Sequence, residues 1–251
     1  MTSERIYRER LLIHATQRNW SALDKAAAYV TDKPLPQSNS DIAKELRVVK
    51  VLAVLADTIQ KHLLQPTYQP PEENYALNQI LYHLASVEPK REKVLRGMLL
   101  AALEDQRDNA EEQLSEFIVE EVMKRQGVAD VVRPEFYDGF VGSLENILSD
   151  VQDIWQKVQY STQVFESSFE GTQVADFEWK VAEPQQDNPS QGQAHEDDND
   201  VVMLFPIIFL VGNEKRPITT GTIVRQSRIS ALIKEERRNS RPVDSGPSRP
   251  R

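Results

Sequence analysis

Leu144, Leu148, Val151, Trp155 and Val158 recur at intervals of four, three, four and three, and nothing else in the chain constrains its fold as strongly. A 3.5-residue apolar period is that of an α-helix packed along a seam against other helices. Ile147 and Ile154 widen the stripe. Such a helix needs helical neighbours, and the rest of residues 1–170 supplies them.

Ser40-Asp41 opens a helix whose apolar residues include Ile42, Leu46, Val49, Leu52, Leu55, Ile59 and Leu63. Val48, Val51 and Val54 spread that stripe around most of the circumference, the pattern of a central helix. Gln65-Pro66 and Gln69-Pro70-Pro71 end it. The next helix places Leu77, Ile80, Leu81 and Leu84 on one side, and Val94, Leu95, Met98, Leu99 and Ala102 follow the same spacing after Pro89. Proline suits a first helical position because its missing N–H would have no partner there. Leu114, Phe117, Ile118 and Val122 mark another helix, closed by Gly127 at a C-cap position. Gly139-Phe140-Val141-Gly142 lacks the spacing of a phosphate loop and reads as a break before the last long helix.

Residues 5–18 and 21–30 form two helical runs around Asn19-Trp20, with Ser21 as N-cap and Asp24 in the first turn. With an aromatic near the turn and Ala26-Ala27-Ala28 after it, this hairpin resembles those of tetratricopeptide-type repeats. The resemblance covers that one hairpin, and no 34-residue period continues it.

After Gly171 the period changes. Phe177-Glu178-Trp179-Lys180-Val181 alternates as a half-buried strand does. Residues 201–211 and 218–224 are β-rich runs around Gly212-Asn213, which predicts a hairpin joined by the Trp179 strand, with Pro206 at an edge or bulge. A short helix is expected near 229–238. The predicted fold is therefore mainly α: a bundle or short array of about six or seven helices over 1–170, with a small antiparallel β segment over 174–238. Within that segment, residues 183–200 are too polar to order themselves and read as a disordered acidic loop; residues 239–251 read as a disordered basic tail.

Charge is laid out unevenly. The net charge is −9. Residues 183–200 hold six acidic residues and no basic one, whereas 215–251 hold ten basic and three acidic. Opposite-sign blocks near one end of a chain mark solvated or interacting segments. The longest apolar run, 201–211, is interrupted by Pro206 and falls short of the ~20 residues a spanning helix needs. Met1-Thr2-Ser3-Glu4-Arg5 leads into a charged amphipathic stretch rather than the apolar core of a secretory leader, and cysteine is absent. An intracellular location is therefore expected, cytoplasmic or nuclear.

Residue patterns for catalysis are sparse. No cysteine is present to serve as nucleophile or thiolate ligand. His14, His62, His83 and His195 stand in neither Glu-x-x-His nor His-Glu-x-x-His. None of the nine glycines builds a dinucleotide or Walker motif, and no serine sits in G-x-S-x-G. Neither a cofactor nor a metal is expected.

Candidate interaction residues are Trp155 on the seam, Trp179 on its strand, and Arg225, Arg228, Arg237 and Arg238 in the basic block. Arg237-Arg238-Asn239-Ser240 fits a basophilic kinase site at Ser240, and Ile233-Lys234-Glu235-Glu236 fits modifier conjugation at Lys234. Taken together, the residues predict a non-enzymatic adaptor or complex subunit with a protein partner. Two alternatives stand beside it: a nucleic-acid- or chromatin-associated factor using the basic end, and an enzyme whose site is assembled from dispersed residues.

Overall fold

The computed structural model describes residues 21–27, 38, 40–67, 74–125, 127–169, 180–181, 201–211, 215–225, 229–231 and 233–234. Over these the protein is mainly α with a small β segment in its C-terminal part. Six α-helices are described: α1 (Ser21–Ala26), α2 (Asp41–His62), α3 (Asn74–Val87), α4 (Pro89–Ala102), α5 (Arg107–Glu120) and α6 (Tyr137–Gln159). A 3-10 turn, Glu104–Gln106, links α4 to α5, and a π-helical turn, Glu121–Arg125, extends α5. Most of residues 1–40, including the repeat-like hairpin beyond α1, lie outside the described residues.

α2 is the central helix that its broad apolar stripe predicts. Ser40 caps it, its Oγ accepting from the Ala43 N–H at 3.1 Å. Its neighbours are α1, α5, the π turn and a β-strand. Gly127 adopts φ 73°, the left-handed conformation that glycine supplies without a Cβ clash, and turns the chain after α5. α6 carries the seam as predicted, with Leu144, Leu148 and Trp155 buried and Val151 and Val158 half-buried, but Ile154, expected to widen it, is exposed. Its start differs from expectation. Gly139 and Gly142 lie inside α6, and the helix begins at Tyr137 behind a 3-10 turn, Pro134–Phe136. Each interior glycine costs about 1 kcal/mol relative to alanine, which packing of the seam readily exceeds.

The helical run also ends sooner than 170. Residues Val164–Ser168 form a strand, β1. It is followed by β2 (Lys180–Val181), β3 (Val201–Phe205), β4 (Ile207–Val211), β5 (Arg216–Pro217) and β6 (Thr222–Arg225). These make two three-stranded sheets, ordered β1-β4-β5 and β2-β6-β3. The apolar run 201–211 is not one strand. Pro206 divides it, so β3 pairs with β6 (Val202 opposite Val224) while β4 pairs with β1 (Phe209 opposite Glu166). The predicted hairpin is split: β4 turns back on β5, just before the expected second run, while residues 222–224 of that run pair with β3 as part of β6. Pro217 sits on the outer strand β5, where it has no ladder bond to donate. β2, directly after Trp179, does join β6, in parallel.

The β segment finishes the helical core. Val202, Leu204 and Val224 share one buried cluster with Leu46, Val54 and Leu148, and β3 packs on α2. Residues 229–231 and 233–234 are helical, and Ile229 and Ile233 enter the same cluster.

At the end of α2, His62 meets Phe117 edge-on, with ring centroids 5.0 Å apart. Burial holds the imidazole at about 4, below its usual 6.5; Lys61 lowers it further and Glu121 opposes. The folded pKa is depressed. Between pH 6.5 and about 4 the unfolded chain therefore binds a proton that folded His62 refuses, and stability falls as pH falls through that window. Asp57, raised by burial against the pull of Lys61, works the other way at the acid end. The melting temperature should drop more between pH 7 and pH 5 in the wild type than in His62→Gln; equal drops would remove His62 from the account.

Candidate docking surface

α3 and α4 are joined by the single residue Glu88 and pack against each other as a helical hairpin, with Pro89 at the first position of α4. Their apolar spacing predicts stripes turned inward. The structure meets this only in part: Leu81 is buried and Leu77, Leu84, Leu95 and Leu99 are half-buried. Ile80 (52% exposed) and Val87 (61%) of α3 and Val94 (62%) and Met98 (66%) of α4 face solvent. The buried positions of α4 are Glu92, Arg96 and Leu100; on α3 they include Asn78, Leu81 and Ala85. Among the described residues, none of either helix belongs to the main core cluster.

Polar contacts seat this hairpin. Glu92 and Arg96, 1% and 5% exposed, pair at 2.6 Å on one side of α4. The Arg96 guanidinium also donates to three carbonyls where α6 ends: Gln159, Ser161 at 3.1 Å and Gln163 at 3.4 Å. The Gln159 carbonyl carries the negative end of the α6 dipole and the other two follow it just past the C-cap, so a guanidinium, with several donors in one plane, is the right group to meet them. On α3, the Asn78 amide donates to Gln65 Oε1 at 3.1 Å, and Thr67 donates to Asn78 Oδ1 at 3.4 Å. Tyr82 is held above its ordinary hydroxyl pKa by burial and by the Glu166 carboxylate of β1.

One periodicity therefore serves two surfaces. A Glu–Arg pair four residues apart gives α4 a face that can be buried only against paired carbonyls, which leaves Val94 and Met98 outside. Gly97 and Ala101 lie between and beyond them, also exposed. A Cβ built on Gly97 would meet nothing within 4 Å, so the fold itself does not need glycine there. α3 carries no acidic residue, lysine or arginine, and the exposed charges that follow it are Glu88, Lys90, Arg91 and Lys93.

No protein-family model matches this chain, and no curated protein or solved structure does either. Its surfaces have to speak for themselves.

The residues singled out from sequence lie elsewhere. Trp155 is 2% exposed and donates to the Gln65 carbonyl at 2.8 Å. Arg225 is half-buried on β6, and Lys234 is exposed. Trp179, Arg228, Arg237, Arg238 and Ser240 lie outside the described residues. The structure does not bring Trp155, Arg225 and Lys234 together. An open cleft of about 560 Å³ lies between Pro89, Gln163, Val164 and the β4–β5 end. Its lysine, Lys215, is engaged with Glu166 at 2.8 Å. Among the described residues, no cluster of three histidines or carboxylates could hold a metal, and no helix is long and apolar enough to cross a membrane.

Proposed function

We propose that this protein is a non-catalytic interaction subunit that receives a protein partner on the outer face of the α3–α4 hairpin. One observation carries the reading: the hairpin buries an ion pair and an asparagine while exposing Ile80, Val87, Val94 and Met98. Leaving such side chains in water forgoes about 1.5–3 kcal/mol each, and contiguous exposed apolar residues mark contact surfaces. A helix-presenting face suits a partner helix laid along it, with anchors at helical spacing.

The nucleic-acid alternative rests on the basic block, of which the described cations, Lys215, Arg216, Arg225 and Lys234, include one committed to Glu166 and one half-buried in a strand. The other six basic residues of the block lie outside the described residues. The enzymatic alternative finds no acid–base pair in the open cleft.

In native extract the wild-type chain should migrate in a complex larger than its 28.7 kDa mass. Val94→Glu with Met98→Glu should release it to the monomer position while the chain stays folded, both residues being exposed. A wild-type monomer in extract, or a complex indifferent to the double variant, would overturn the reading.

A further inference from the structure

We infer that the occupant of this face is a second copy of the chain, with α4 packed antiparallel on α4 of its partner about a twofold axis between Gly97 and Met98. The inference rests on the docking reading above and specifies its partner.

The face maps onto itself. Val94, Gly97, Met98 and Ala101 stand at i, i+3, i+4 and i+7, one stripe of a helix. An antiparallel twofold centred between 97 and 98 sets Met98 over Gly97 and Val94 over Ala101. Each large side chain meets a small one, at both ends and in both copies, which is what an isologous contact requires. It also gives Gly97 a purpose that the isolated fold does not supply, since the space above it is empty. A mid-helix glycine is unfavourable by about 1 kcal/mol, and close approach of a second helix is a physical reason to keep one.

Charge obeys the same operator. It sets Lys90 against Asp105 and Arg91 against Glu104, all four of them exposed. Within one chain the exposed charges of α4 itself run against its dipole. Lys90, Arg91 and Lys93 stand exposed in its first turns beside the buried Glu92, its last turn has no basic residue, and acids stand in the 3-10 turn that follows. A helix dipole favours the opposite arrangement. An antiparallel partner corrects it, bringing acids to the N-terminal end of α4 and cations to the C-terminal end. Arg91 already reaches Glu88 at 3.2 Å, but that is an exposed surface pair of the kind that exchanges readily. Ile80 and Val87 of α3 are exposed as well.

Purified full-length chain should sediment at twice 28.7 kDa in the micromolar range. Lys90→Glu with Arg91→Glu should weaken the dimer about tenfold or more by opposing like charges, and adding Glu104→Lys with Asp105→Lys to the same chain should restore it. The chain has no cysteine, so register can be read without background. Oxidising a mixture of Val94→Cys and Ala101→Cys chains should yield the mixed disulfide in excess over either chain alone. A purified monomer overturns the inference, as does a dimer indifferent to the charge reversal or one in which Val94→Cys alone cross-links as well as the mixture. If the purified chain is monomeric while its complex in extract still collapses on Val94→Glu with Met98→Glu, self-pairing alone falls and the docking face stands.

Discussion

Arg96→Ala is expected to destabilise the protein by about 3–5 kcal/mol, lowering its melting temperature by roughly 6–20 °C. Two losses combine. Glu92, 1% exposed, would keep a buried carboxylate whose Oε2 already has no hydrogen-bond partner among the described residues. A carboxylate left so placed loses its counter-charge while staying out of water, which weakens the fold. The second loss falls on Gln159, Ser161 and Gln163, whose carbonyls at the end of α6 would forfeit a charged donor. A double variant separates the two. Glu92→Leu with Arg96→Leu removes the stranded charge, and apolar replacements of buried pairs are often neutral or better. It should recover part of the stability, and the deficit that remains, about 1 kcal/mol per unmet carbonyl, measures the clamp on α6. Full recovery would show that those carbonyls do not depend on Arg96; no recovery would show that the stranded Glu92 charge contributes little to the loss.

That pair also explains why the direction of the α4 stripe escapes the sequence. Apolar spacing finds a stripe but not its direction, and the usual placement of apolar residues assigns Val94 and Met98 to the core. A contrary signal is present. Glu92 and Arg96 stand at i and i+4 on the opposite side, and such a pair can be buried when the guanidinium has further acceptors. Those acceptors lie 63 to 67 residues away at the end of α6, a distance no local pattern spans. The same holds for α3, where Asn78 is buried because Gln65 and Thr67 await it.

Other elements are legible for local reasons. The Ser40 cap, the first-turn proline of α4, the left-handed Gly127 and the α6 seam depend on a few adjacent residues. β1 is not legible, because its burial does not alternate: Val164 and Ser167 are buried, Phe165 and Glu166 half-buried. Its strand character comes from pairing with β4, some forty residues on. Pro206 signals a break in a ladder, but the sheet assignments of the two halves are set by long-range partners, β6 for one and β1 for the other.

Trp155→Ala is the second large effect, expected at about 3–5 kcal/mol, and its interest lies in what Trp155→Phe leaves behind. The indole is nearly enclosed on the α6 seam, and its Nε1–H donates to the Gln65 carbonyl at 2.8 Å. That carbonyl accepts a second bond, from Gln159 Nε2 at 2.9 Å. Phenylalanine keeps most of the ring and forfeits only the donor, and Gln159 still satisfies the oxygen, so Trp155→Phe should cost about 1–2 kcal/mol. Gln159→Ala alone should likewise be mild. Combined with Trp155→Phe it removes both donors and leaves a part-buried carbonyl unmet. The loss in the double variant should then exceed the sum of the two single losses by about 1 kcal/mol or more. The consequence reaches the docking face, because Gln65 Oε1 holds Asn78 of α3 at 3.1 Å. Hydrogen exchange over residues 74–102 should accelerate in Trp155→Phe with Gln159→Ala beyond the change over α2. Additive energies, with exchange raised equally in both regions, would mean that the Gln65 turn does not seat the hairpin.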